Sequence, residues 1–288
     1  MPICTFIDSA EFRESQNPIK VAVFPSGTSA IEFSSIVSVA FPLVRIEGES
    51  KDPLDIVASP TPIENFNIYD ADDQTREDIR GFLNLLCRSI TIQDQLDESH
   101  ALAPHQIPDS QGKLQRSRIG DLLHRSKDYS RRSAYKDAAA VKQLKQHLAD
   151  FVTRHPRYRL VHGIVPAPSS DPFRVTTLVT TLAKSLANST GKSLIVPNRH
   201  KAVAPMKEFE EAEEGLSREG EQRSSIRMPQ DLRQKDLIVI DDLYKTGGTI
   251  DEVARACRAA GAESVIGLAV TKTPSKAHGR DLSKWSPG

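Results

Sequence analysis

Along the second half of the chain, short apolar runs alternate with longer segments whose apolar residues recur every three or four positions. The runs are Leu160–Val165, Leu194–Val196, Leu237–Ile240 and Val265–Val270. Short apolar runs bounded by polar or glycine positions predict strands covered on both faces. Between them, Ala138–Arg154 sets Val141, Leu144, Leu148, Phe151 and Val152 on one face. Val175–Ala187 does the same with Leu178, Val179, Leu182, Ala183 and Leu186, and Gly191 just beyond predicts its cap. Thr249–Ala260 predicts a third helix, ending at Gly261. Strand and helix in alternation predict an α/β fold, a parallel sheet flanked by helices. Ligands of such sheets sit beyond the carboxyl ends of the strands.

The first 110 residues follow a looser pattern. Lys20–Phe24 predicts a strand, Pro25-Ser26-Gly27-Thr28 a turn, and Ser29 to about Val39 a helix. That order is the opening of an α/β unit. Residues 47–66 are rich in Pro, Ser, Glu and Asp and read mostly as loop. Asp72–Arg88 predicts a helix, with Ile79, Phe82, Leu83, Leu86 and Cys87 at helical spacing. Residues 96–118 are polar and have few apolar anchors, which predicts a linker. The expected division is an N-terminal α/β lobe over residues 1–110, a regular domain over 111–275 and a tail over 276–288.

Charge and cysteine usage narrow the class. The 288 residues hold 38 Lys plus Arg against 38 Asp plus Glu. A balanced chain gives no support to a general nucleic-acid or anionic-membrane binder, so neither partner is expected. A small basic and aromatic patch, Lys127, Tyr129, Arg131 and Arg132, reads as surface. No stretch approaches the roughly 18 apolar residues of a membrane span. Cys4, Cys87 and Cys257 lie far apart without metal-ligand spacing. With no signal-peptide pattern at the start, they predict a cytoplasmic protein.

The densest chemistry follows the Leu237–Ile240 run: Asp241-Asp242-Leu243-Tyr244-Lys245-Thr246-Gly247-Gly248-Thr249. Two carboxylates at a strand end can accept from vicinal sugar hydroxyls. The glycines let backbone approach a phosphate closely. Free N–H groups at the following helix start, with its dipole, favour a dianion. Tyr244 could stack on a base or pack against the sheet edge. The charged segment Lys201–Arg233 is too polar to be core and reads as a flap over a site.

This segment resembles the signature of the type I phosphoribosyltransferases, an apolar strand, two acidic residues and a Thr-Gly-(Ala/Gly)-Thr loop. Gly163-Ile-Val-Pro166-Ala-Pro168-Ser169-Ser170 and Leu216-Ser-Arg218-Glu-Gly-Glu-Gln-Arg223 resemble, more narrowly, segments of the ComF-like group. The resemblance covers about residues 115–275. Lys245 departs from the usual small residue or Thr, and the zinc-binding N-terminus of the ComF-like group is absent.

The resemblance implies a phosphoribosyltransferase that uses 5-phosphoribosyl-1-pyrophosphate (PRPP) and Mg²⁺ and passes the phosphoribosyl group to an unidentified nitrogen acceptor. It implies that Asp241 and Asp242 are the catalytic pair, holding the ribose, and that Lys245, Thr246, Gly247, Gly248 and Thr249 hold the 5-phosphate. Pro168, Ser169, Ser170, Arg199, Arg218 and Arg223 are then the pyrophosphate candidates. Mg²⁺ is held through PRPP, with Asp241 or Asp242 as candidate ligands, and no metal ligand is assigned directly. A homodimer is compatible with the family. The alternative is a PRPP-sensing regulator or a ComF-like DNA-uptake accessory protein without turnover. The acceptor-binding hood is expected from the N-terminal lobe.

Overall fold

The computed structural model describes residues 3–13, 19–26, 32–48, 64–130, 133–170, 176–199 and 225–273. The first half contributes β1 (Ile3–Arg13), β2 (Ile19–Ser26), α1 (Phe33–Ala40), β3 (Arg45–Gly48), β4 (Glu64–Tyr69), α2 (Asp73–Leu86), β5 (Ile90–Gln93) and β6 (Glu98–Pro104). A small hairpin of β7 (Gln106–Pro108) and β8 (Leu114–Arg116) leads to α3 (Arg118–Ser126) and α4 (Ala138–Arg154). Then come a 3-10 turn (Tyr158–Leu160), β9 (Gly163–Pro166), α5 (Leu178–Thr190), β10 (Ser193–Leu194), β11 (Asn198–Arg199) and β12 (Ile226–Arg227). β13 (Asp236–Tyr244), α6 (Gly248–Ala259) and β14 (Ser264–Lys272) complete the described chain.

Among the described residues, ten strands form one sheet in the order β10-β9-β13-β14-β6-β5-β1-β2-β4-β3. The first five are mutually parallel. From β6 onward every pairing is antiparallel.

β13 sits inside the parallel half, and its alternation explains the layers. Ile238 and Ile240 face α3, α4 and α5, in a core with Leu123, Leu144, Leu148, Leu182 and Leu186. Leu237 and Val239 face the opposite way, against Val253, Ala254 and Cys257 of α6. Burial on both faces is why the strand reads as a continuous apolar run. α3, α4 and α5 each start on a short polar cap: Ser117 accepts from Gly120 N, Asp137 from Ala140 N and Thr177 from Thr180 N. Gly191 ends α5 at φ 68°, as the sequence predicts.

The antiparallel half packs α1 and α2 on its strands, around Val21, Val23, Phe33, Phe66, Ile68, Phe82 and Leu86. Here the structure departs from the sequence-based expectation. The helix expected from Ser29 begins at Phe33, because the Glu64 carboxylate on β4 accepts from both Phe33 N and Ser34 N at 2.7 Å. A cap borrowed from 30 residues away leaves no local signal. Residues 47–66, read as loop, hold the end of β3 and the start of β4.

The larger correction concerns the linker expected over residues 96–118. It contains β6, which runs parallel to β14 and is buried along almost its whole length. Its sequence, Glu98-Ser-His-Ala-Leu-Ala-Pro104, buries Ser99 and His100 alongside the alanines, so its hydropathy is low although its position is central. The sheet therefore continues across the expected domain boundary through β6 and β5.

Leu144 on α4 is fully buried, whereas Leu160 is 73% exposed. Leu144→Ala should lower stability by about 2–5 kcal/mol. Leu160→Ala should stay within about 0.5 kcal/mol of the parent. Urea denaturation of the two variants checks the packing, and equal losses would contradict it.

Candidate active site

β13 delivers the two aspartates. The strand does not stop before them: it runs through Asp241 and Asp242 to Tyr244, with Asp241, Leu243 and Tyr244 in register with β14. Both carboxylates thus emerge at the carboxyl end of the parallel strands, held by sheet backbone. Asp242 N donates to Asp241 Oδ1 at 2.8 Å. Burial, and then the neighbouring Asp242 charge, push the Asp241 carboxyl far above the ordinary range, to about 7.

Asp242 has a counter-ion that the sequence reading missed. Lys127, directly after α3, places Nζ 3.0 Å from Asp242 Oδ2. Burial acts to lower the lysine, but the Asp242 carboxylate outweighs it and the net direction is upward. In the sequence Lys127 belongs to a small basic and aromatic patch, which does not say that the helix end meets β13. His105, just beyond β6, was missed as well. Its Nδ1 lies 3.2 Å from Thr271 Oγ1 on β14. Burial, then the Lys127 and Arg116 charges, lower its pKa. α3 approaches this residue so closely that a Cβ on Gly120 would lie 2.1 Å from the His105 carbonyl oxygen.

The loop after β13 turns on Gly247. Its φ is 90°, and an added Cβ would lie 2.3 Å from Tyr244 Oη, so conformation and space both demand glycine. Tyr244 is buried and donates to Asp94 Oδ2 at 2.8 Å, which settles its role as a packing residue beneath the loop. Lys272 Nζ bonds the carbonyls of Lys245 and Thr273, and Thr273 N bonds Tyr244 O. α6 then begins at Gly248 with no side-chain cap. Free N–H groups at a helix start, with the positive end of the helix dipole behind them, favour an anion. Thr246 is exposed, and Lys245, Gly248 and Thr249 are half-buried.

Pro168, Ser169 and Ser170 follow β9, whose Pro166 lies opposite Ile240 in register, and Ala167 N donates to Ile240 O. They therefore leave the sheet beside the aspartates, half-buried. Arg199 is placed differently. Its guanidinium bonds Ser225 Oγ at 2.9 Å and Glu252 Oε2 of α6 at 3.0 Å, and only 5% of the side chain is exposed. Ser225 Oγ also bonds Glu252. One carboxylate on α6 thus pins both ends of the excursion between β11 and β12. Arg218 and Arg223, and most of the flap expected over Lys201–Arg233, lie outside the described residues, as do Arg131 and Arg132. Among the described residues, no helix is long and apolar enough to cross a membrane.

Residues 178–285 match the sequence profile of the phosphoribosyl transferase domain. No curated protein matches the chain. Among solved structures, the phosphoribosylpyrophosphate synthetase of Mycobacterium smegmatis is 24% identical, at a TM-score of 0.29, over 44% of this chain and 33% of its own. This chain thus spans about a third of that synthetase. A purine phosphoribosyltransferase of Pyrococcus horikoshii is 18% identical, with a TM-score of 0.31, over 48% of this chain and 85% of its own. The orotate phosphoribosyltransferase of Aeropyrum pernix is 14% identical, with a TM-score of 0.30, over 58% and 71%.

The raised Asp241 carboxyl has a thermodynamic consequence. Between its unfolded value of 3.8 and its folded value of about 7, the folded chain holds a proton that the unfolded chain has released. Its contribution to stability is therefore full below about pH 4 and is lost as pH rises through 7. Asp241→Asn should melt higher than the parent at about pH 8 and lose that advantage towards pH 4. Thermal melts across that window check it, and a pH-independent gap would overturn the assignment.

Proposed function

We propose that the phosphoribosyl transferase domain carried by residues 178–285 takes PRPP at the carboxyl end of β13. The reaction passes the 5-phosphoribosyl group to a nitrogen acceptor: the C1–O bond to pyrophosphate breaks, its electron pair leaves with pyrophosphate, and a C1–N bond forms. The observation that carries this reading is the Asp241–Asp242 pair joined, through the Gly247 turn, to the uncapped start of α6. A phosphorylated ribose needs both parts a short loop apart, carboxylates for its hydroxyls and free N–H groups for its phosphate.

In this reading Asp241 and Asp242 accept from the ribose hydroxyls, residues 245–249 receive the 5-phosphate, and Pro168, Ser169 and Ser170 border the pyrophosphate. Arg218 and Arg223 remain its cationic candidates, while Arg199 serves to anchor the excursion that carries them. The donor set fits Mg²⁺: hard carboxylate oxygens on two adjacent side chains at the strand end. Asp241 or Asp242 would hold the ion, which would supply positive charge to offset the departing pyrophosphate.

Lys127 adds a role beyond the motif. It holds Asp242 when no ligand is present, and ribose hydroxyls arriving at that carboxylate release the ammonium towards the pyrophosphate. Oxocarbenium-like transition states of this kind are stabilised mainly by positioned charge. The narrower likeness to the ComF-like group rests on residues 163–170 and 216–223. It keeps open a sensor or DNA-uptake accessory role on the same ligand site.

Calorimetric titration of PRPP with Mg²⁺, followed by pyrophosphate release against pooled nucleobases and amines, tests the proposal. Binding with release is expected. Binding without release selects the sensor or accessory reading, and no binding refutes the site. Asp241→Asn with Asp242→Asn should abolish binding. Lys127→Ala should weaken it by roughly 10- to 100-fold, the range of a charge-assisted hydrogen bond. Unchanged affinity in Lys127→Ala would remove the lysine from the mechanism.

A further inference from the structure

Away from the carboxyl end of the sheet, one cluster of ligating side chains has no part in the site above. Glu98 opens β6, His100 follows two residues on, and His155 caps the end of α4. Glu98 Oε1 lies 2.8 Å from His100 Nε2 and 2.8 Å from His155 Nε2. The ligating atoms of all three residues fall within 4.8 Å of one another. Both imidazoles are fully buried, and the carboxylate is 11% exposed. In register, Glu98 stands opposite Ile266, which stands opposite Ile238, so the cluster lies upstream of Asp241 along the sheet.

A second observation concerns His155 itself. Neither of its ring nitrogens has a hydrogen-bond partner, although both are shut off from solvent. Its Nε2 sits 2.8 Å from a carboxylate oxygen yet outside hydrogen-bond geometry. Buried polar atoms nearly always have a partner, and a cation shared with Glu98 and His100 would supply one for Nε2.

The surroundings suit an enclosed ligand set. Phe82, Phe151 and Tyr158 pack on the His155 ring at centroid distances of 4.8, 5.4 and 4.4 Å. Thr91 Oγ1 is 3.5 Å from His100 Nδ1. Arg157 Nη1 is 3.3 Å from Glu98 Oε2 and also donates to the Asp97 carbonyl, while Arg157 Nη2 donates to Ser264 Oγ. Partners of this kind, on the far nitrogen of a histidine and the outer oxygen of a carboxylate, orient metal ligands.

We propose that Glu98, His100 and His155 bind one divalent transition-metal ion. Two imidazoles and one carboxylate are a ligand set that suits Zn²⁺. The ion joins β6, the strand that ends beside His105, to the end of α4. Because the cluster is buried, the ion is taken up as the chain folds and is held until it unfolds. The site is separate from the proposed PRPP site, so its test does not depend on PRPP binding.

The full chain, expressed with added zinc and desalted without chelator, is assayed by plasma mass spectrometry. About one equivalent of zinc per chain is expected, resistant to EDTA until denaturant is added. X-ray absorption on the same sample should show two imidazole nitrogens and one or two oxygens at about 2.0–2.1 Å. His155→Phe, which refills the aromatic space, should lose the equivalent with unchanged far-ultraviolet circular dichroism. Trace zinc in the parent chain would overturn the proposal and leave the cluster as a hydrogen-bonded core network. A full equivalent retained in His155→Phe, or sulfur or oxygen-only scattering, would also overturn it by placing the metal elsewhere. Should His155→Phe fail to fold, the absorption spectrum of the parent decides alone.

Discussion

Two carboxylates side by side at the end of a buried strand are the constraint to which the C-terminal half answers. Leu237 to Ile240 are buried on both faces, so the strand has no freedom to slide, and Asp241 and Asp242 arrive where that burial ends. Adjacent like charges leaving water raise each other's energy. Asp242 is met by Lys127 from across the sheet face. Asp241 accepts from the Asp242 N–H, but burial and then the Asp242 charge outweigh this, and its carboxyl holds its proton far more tightly. The site is thus strained electrostatically in a defined direction. It favours a ligand that brings hydroxyl donors or positive charge.

The loop beyond the aspartates depends on the same economy of space. Gly247 can turn with φ 90° only because it lacks a Cβ, and the volume that a Cβ would need is filled by the Tyr244 hydroxyl. That hydroxyl is held by Asp94, from the β5–β6 turn. The first half of the chain is therefore part of the site's foundation: β6 lies beside β14, and the turn before it supports the loop before α6. A boundary near residue 110 divides the sequence by composition but does not divide the sheet.

What could be read from the sequence follows the range of the forces involved. The alternation of β13 and the faces of α4 and α5 are local patterns, and the structure places them as read; the strand, however, runs on through Asp241 and Asp242 to Tyr244 rather than ending at Ile240. β6 escaped because burial on both faces was achieved with Ser, His and Ala rather than with branched residues. The start of α1 escaped because its cap is Glu64 from another strand. Lys127 and His105 escaped for the same reason, since their importance lies in which strand end they meet. Arg199 shows the converse: a residue of the right chemistry near the right segment, committed by tertiary contact to Glu252.

That commitment also shows how the fold divides its cations. A guanidinium held by a buried carboxylate and a buried serine is a structural group, because withdrawing it would leave Glu252 charged in a dry core. Lys127 is bound to a carboxylate that is itself 22% exposed, and a quarter of its own side chain reaches solvent. Its partner can be taken over by an incoming hydroxyl without leaving a buried charge behind. The two pairs have the same 3.0 Å separation, so distance does not distinguish them; the difference in solvation does. An ion pair that can be exchanged belongs at a ligand site, and one that cannot belongs in the scaffold that holds that site in place.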